Sequence, residues 1–356
     1  MLYGYEAAAL YGYSTARVKA MESKLIRSET LDHMLAAKDT SSIIGMLLQT
    51  NYKQYIEQFG GVSAMDKLID SALSKSLGDE TSKLITIAPL TQKKVARAVF
   101  GKWDIYNIKL VIEAKASGEK FDDIERYVVD SNYVSKKLVR DAMLEGNVEN
   151  TISKLMQNSH YDEILKEALN VYKKTNSIMS VNGAIDKMYY MQLSNIIYKL
   201  VDVDPWANNL IKKDIDMKNA LLLIRAKKYS LKFESIKEFL SFNGNVSPEE
   251  WQKTYDVSKD FRGFLEEIKV FDLKSAIGVY ESSKNKSLLI FEIAIRNEIF
   301  KDGIRVLKHS VLSFGSLVAY FYLKEIEVFS LRVLIKSKAY GLSDDEVKRM
   351  IVWRAG

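Results

Sequence analysis

The 356-residue sequence contains no cysteine. That absence excludes disulfides, thiolate metal sites and cysteine nucleophiles, and makes an intracellular address the natural expectation. Histidine is scarce too. His33, His160 and His309 stand far apart with no ligand spacing among them, so no metal site is expected. Only 3 prolines and 17 glycines interrupt the chain, which favours long unbroken helices. The longest charge-free apolar run, SVLSFGSLVAYFYL at 310–323, falls short of the about 20 residues that a bilayer crossing needs. The opening MLYGYEAAALYGY lacks the basic segment, apolar block and cleavage site of a secretory signal. Neither a glycine-rich phosphate loop ending in Lys-Ser/Thr nor a dinucleotide fingerprint occurs, so no catalytic or cofactor-binding residue is assigned and no cofactor is expected.

What remains is an ordinary foldable composition, 47% hydrophobic and 28% charged, in a chain long enough for two or three domains. The 52 basic and 46 acidic side chains leave a net charge of +6. The two signs alternate, as on a solvated surface with a weak bias toward acidic partners or anionic headgroups. Lys212/Lys213 and Lys227/Lys228 are broken by acids and apolar residues, which suits a helix face better than a nucleic-acid stripe. Asp122/Asp123 and Asp344/Asp345 open helical segments, where acids complement the helix dipole.

The informative feature is an internal repeat. WDIYNIKLVIEAK (103–115) and DMKNALLLIRAK (216–227) align at a shift of 112, pairing Asp104, Asn107, Leu110, Ile112, Ala114 and Lys115 with Asp216, Asn219, Leu222, Ile224, Ala226 and Lys227. A third copy, EVFSLRVLIKSK (327–338), follows at a further shift of 111, with Glu327 for the Asp, Ser330 for the Asn and Lys338 for the Lys. In each copy these positions share a wide apolar helical face, so the helix is expected to be buried around much of its circumference. An active site normally occurs once, whereas a packing device repeats with the fold. The Asp-x-x-Asn residues are therefore read as satisfying polar groups at a bundle seam.

GEKFDDIERYVV, YSLKFESIKEFL and YGLSDDEVKRMI follow the three copies and predict a turn and another amphipathic helix each time. Ser343 with Glu346 has capping-box spacing, and FNGNVSPEEW predicts an Asn-Gly turn, a Ser247 cap and Pro248 at the first helical position. SSIIGMLLQTNYKQYI (41–56) also resembles NTISKLMQNSHYDEIL (150–165). The expected fold is all-α: three similar helical-bundle domains in tandem, 1–133 with an extra N-terminal helix, 134–245 and 246–356.

The stretch YGYSTARVKAMESKLI (11–26), with Tyr11, Tyr13, Ala16, Arg17, Val18, Lys19, Ala20 and Leu25, resembles the opening of the C subunit of archaeal A-type (V/A-type) ATP synthases. These are relatives of the eukaryotic V-ATPase d subunit. Asp104, Asn107, Ile108 and Lys109, followed by Ala114-Lys115, resemble its internal Asp-x-x-Asn-Ile-Lys signature. The resemblance covers the whole chain and departs most in the third copy, at Ser330. It implies a non-catalytic rotor part with a funnel- or socket-like form. Such a part sits peripherally on the cytoplasmic face of the membrane, between the proteolipid ring and the central shaft subunits. A helical-repeat scaffold with an unrelated partner and a weak RNA-binding protein are the alternatives. The latter would show a steep salt dependence of affinity.

Overall fold

The computed structural model describes residues 2–60, 65–131, 133–197, 204–283, 285–310 and 312–352. Among them all regular secondary structure is helical, as the scarcity of proline and the helical periodicity require. Two compact units form, one from residues 1–44 with 197–356 and the other from 45–196. Compactness thus divides the chain differently from sequence repetition. The reason lies in the segment after the N-terminal helix. Ser28–Leu35 belongs with the third repeat helix, to which residues on either side of it are hydrogen bonded.

In the unit 45–196 the first repeat helix, Lys102–Ser117, packs on Lys136–Met143, Val148–Asn158 and Lys93–Phe100, and Lys93–Phe100 packs in turn on Met65–Ile87. Its Ile105, Ile108, Val111 and Ile112 are buried, with Leu73, Leu77, Val139, Ile152 and Leu155 in the same core. Removing each such side chain from water contributes about 1.5–3 kcal/mol. Gly78 marks a close approach. A Cβ there would lie 2.6 Å from the Asp130 carbonyl oxygen, so only glycine lets Met65–Ile87 pass the backbone of the 126–130 segment.

In the other unit the second and third repeat helices, Pro205–Lys228 and Phe314–Ala339, pack on each other, and the third also packs on Leu289–His309 and Leu2–Glu22. Asp204 sets where both begin. One carboxylate oxygen accepts the Ala207 N–H at 3.0 Å as an N-cap, and the other accepts the Gly315 N–H at 2.6 Å. Apart from Val311, which lies outside the described residues, the apolar run 310–323 becomes mostly the first part of the third repeat helix, buried on all sides. No helix among the described residues is long and apolar enough to cross a membrane.

The three repeat helices end alike. The N–H of Glu119, Leu231 and Leu342 bonds the carbonyl of Ala114, Ala226 and Ser337 across a residue of positive φ, namely Gly118 (74°), Ser230 (55°) and Gly341 (73°). This is the left-handed helix stop. The helices expected next appear in full only in the third copy, as Asp344–Met350. The first copy has a four-residue turn, Phe121–Ile124, and a 3-10 turn, while the second has only 3-10 turns at Phe233–Ser235 and Lys237–Phe239. Capping separates the second copy from the third, while the first has a box of its own, in which Asp123 accepts the Lys120 N–H at 2.9 Å. Ser343 and Glu346 form the predicted box, followed by Lys348 and Arg349 in the last turn. Lys232 gives the second copy no side-chain cap, and Ser235 turns its hydroxyl back to the Lys232 carbonyl. Ser247, Pro248 and Glu250 form the predicted start of Pro248–Val257, after Asn243 with φ 68°.

Candidate functional site

The repeated polar residues make three seams, each joining a repeat helix to an extended segment. In the first, the Asn107 amide donates to the carbonyls of Val129 (2.6 Å) and Val134 (3.0 Å), and its oxygen accepts the Val129 N–H at 3.1 Å. The second seam does the same 112 residues on: Asn219 donates to the Ser241 carbonyl and accepts the Ser241 N–H, both at 2.8 Å. In the third, the Ser330 hydroxyl donates to the Val352 carbonyl at 3.4 Å and accepts its N–H at 3.2 Å. The partner lies 22 residues ahead every time. An amide pairs with both backbone groups of one residue as a neighbouring strand would. One hydroxyl does so only at longer range.

The acidic position holds the backbone just before the next helix. Asp104 accepts the N–H groups of Tyr133 (3.2 Å) and Val134 (2.7 Å), with the hydroxyls of Ser131 (2.5 Å) and Tyr161 (2.8 Å). Asp216 accepts Asn245 (2.8 Å) and Val246 (3.3 Å), and its carboxylate sits so close to Gly244 that no Cβ fits there. Helices with serine caps follow, at Ser135 and Ser247. Glu327 follows the rule with a partner from the other end of the chain. It accepts the Ile26 N–H at 2.5 Å, just before Ser28–Leu35, and pairs with Lys324 at 2.9 Å.

The lysine that ends each motif closes the seam. Lys115 donates to the Met143 carbonyl (3.1 Å), Lys227 to those of Tyr255 (2.7 Å) and Ser258 (2.6 Å), and Lys338 to that of Ala37 (3.0 Å) and to Asp344 (2.6 Å). Each caps carbonyls at the C-terminal end of the helix its seam delivers.

Burial raises the Asp104 carboxyl above its ordinary range, and the hydrogen bonds from Ser131, Val134 and Tyr161 offset this only in part. Asp216 is raised for the same reason, offset by the Asn245 and Val246 amides. Burial, and then the nearby Asp104, holds the Tyr161 hydroxyl well above its usual value. These carboxylates have every oxygen engaged in folding contacts, which suits a packing device and not a general base.

Elsewhere, Lys109 of the Asp-x-x-Asn-Ile-Lys stretch pairs with Asp186 at 2.8 Å. The His160 ring packs at a tilt against Tyr133, with ring centroids 4.1 Å apart. Among the described residues no group of three or more His, Asp or Glu side chains is placed to hold a metal ion. A surface cavity of about 450 Å³ is lined by Tyr280, Ser283, Ile290, Leu342 and Arg349; its acid, Glu346, is committed to capping Ser343. In the N-terminal motif Tyr11 and Val18 are buried, Lys19 donates to the Leu307 carbonyl at 2.9 Å, and Tyr13 and Arg17 face outward. Sequence reasoning missed Tyr161, Ser131 and Asp204. Only Asp204 carried a local signal, an Asp directly before a proline that opens a helix.

A model of the ATP synthase (C/AC39) subunit family matches residues 14–350. The C subunit of the A-type ATP synthase of Methanocaldococcus jannaschii is 23% identical over 346 residues, covering 97% of this chain and 86% of the relative. That of Thermoplasma acidophilum is 24% identical over 349 residues, covering 95% and 97%. That of Thermococcus onnurineus is 25% identical over 355 residues, covering 98% and 93%. The matched region takes in all three repeat helices with the acid and lysine of every seam and with Asn107, Asn219 and Ser330 between them, and on that span the chain belongs to the ATP synthase (C/AC39) subunit family.

Proposed function

We propose that this chain is a non-catalytic subunit of a rotary ATPase, a socket that joins the central shaft to the membrane-embedded proteolipid ring. The family match along residues 14–350 carries the reading, with relatives that are named as C subunits of A-type ATP synthases. The geometry is suited to it. A part that transmits torque needs stiff packed helices, and here buried acids, amides and lysines tie each repeat helix to the segment leading into the next. The division into 1–133, 134–245 and 246–356 belongs to this proposal, as three copies of one bundle adapted to a common task. The chain works at the cytoplasmic face without inserting, and its contacts with ring and shaft are protein interfaces of roughly 1,600 Å² or more.

Reconstituted vesicles test this. Complexes assembled without the chain are expected to keep ATP hydrolysis in the head and an intact ring in the membrane, while ATP-driven ion pumping disappears. Full pumping by complexes verified to lack the chain would rule the socket out.

A further inference from the structure

Two exposed tyrosines are not explained by folding. Tyr229 and Tyr340 stand 111 residues apart at equivalent places, directly after the second and third repeat helices, and are 73% and 82% exposed. The residues around them do have folding roles. Lys227 and Lys338 close their seams, Ser230 and Gly341 take the left-handed turn, and Leu231 and Leu342 occupy the position whose apolar contact usually completes such a stop. The tyrosine position itself asks for nothing aromatic, and the first repeat has Ser117 there. Copies that have diverged at most positions nonetheless keep the same large, amphipathic side chain in solvent. Tyrosine supplies contact area at low entropic cost and is enriched at protein interfaces.

The two rings also share an end of their unit. Both repeat helices start at Asp204 and pack on each other, so at 1.5 Å per residue their last turns lie some 35–40 Å along, away from that carboxylate. Beside Tyr229 the exposed Arg225 and Lys232 have no ion-pair partner among the described residues, whereas beside Tyr340 the exposed Lys336 is accompanied by the exposed Asp344 and Asp345.

We propose that the Lys-x-Tyr-Ser/Gly-Leu ends at 227–231 and 338–342 form a duplicated docking surface for the proteolipid ring. Each tyrosine enters a recess on a neighbouring, identical ring chain, and Arg225 and Lys232 meet a carboxylate of the chain that takes Tyr229. A surface written twice fits a partner built of repeated chains, whereas a single shaft offers no second equivalent site. The inference rests on the socket reading and goes on to say which residues face the ring.

The test measures binding of the full chain to the detergent-solubilised ring and, separately, to the shaft subunits. Tyr229→Ala combined with Tyr340→Ala is expected to weaken ring binding at least tenfold, with shaft affinity and thermal midpoint unchanged. Tyr229→Phe with Tyr340→Phe keeps the rings and is expected to retain most of the binding. Unchanged ring affinity in the alanine variant, or a loss confined to the shaft, overturns the assignment and leaves the socket reading intact. Failure of the unaltered chain to bind either partner takes both down.

Discussion

The first and third seams solve one problem with different resources. At the first, an acid and an amide, both buried, fix a segment that the chain itself delivers within 30 residues. At the third, a longer acid and a hydroxyl do the work, and the glutamate's partner arrives from 301 residues away. The glutamate's extra methylene suits an acid whose partner comes from elsewhere in the sequence. The serine carries a hydroxyl where asparagine has a carboxamide, two heavy atoms fewer, and a void of about 20 Å³ lies beside Ile26, Glu327 and Ser330. What repeats is therefore the set of backbone groups that must be satisfied. The side chains that satisfy them have drifted.

The sharpest way to break this comparison is to remove the amide position in all three copies. Asn107→Leu strands the Val129 N–H and the Val129 and Val134 carbonyls and is expected to cost about 3 kcal/mol or more. Asn219→Leu strands one N–H and one carbonyl, for about 2 kcal/mol, and Ser330→Ala gives up two long bonds, for about 1 kcal/mol. Chemical unfolding followed by circular dichroism orders them. Equal losses would show that the seams are not graded by their polar contacts.

Acidity separates the seams in another way. Because burial raises the Asp104 carboxyl, the folded state holds its proton more tightly than the unfolded chain does. Its contribution is then fully present below the unfolded value, near 3.9, and is lost as pH rises through the folded value. The stability of the natural chain relative to Asp104→Asn is expected to improve as pH falls from 7 toward 4. A relative decline over that window would mean that the hydrogen bonds outweigh desolvation.

Much of this was legible from residues alone, because the shift of 112 that aligns Asp, Asn and Lys also aligns their hydrogen-bond partners, and the further shift of 111 aligns the partner of the Asn position. The seam role of Asn219 followed from its recurrence on a buried face. Ile26 as the partner of Glu327 was not legible, since nothing local links the two ends of the chain. Nor was the collapse of the segment after Lys228 into 3-10 turns, where amphipathic spacing was present and a cap was missing.

Restoring the asparagine sharpens the comparison from the other side. Ser330→Asn is expected to fill the void and shorten the bonds to Val352, adding about 1 kcal/mol. Overpacking against Leu323 and Leu331, which line the same void, would appear as destabilisation and would mean that the third seam has closed around its serine.

The smallest effect expected is at the helix stops. Gly118 and Gly341 hold their left-handed turns with φ near 74°, and a Cβ there would meet nothing within 4 Å, so backbone conformation alone disfavours a side chain. Ser230 holds the same turn at 55° with a side chain that the other two copies lack. The left-handed conformation costs a non-glycine residue about 1 kcal/mol, while glycine adds unfolded-state entropy that offsets part of the gain. Ser230→Gly is therefore expected to stabilise the chain by about 0.5 kcal/mol, and Gly341→Ala to destabilise it by about as much. The two changes act on the same turn one repeat apart, so their opposite signs form a single test. A thermal midpoint that falls in Ser230→Gly would mean that the Ser230 side chain holds the second stop in a way the other two do not share.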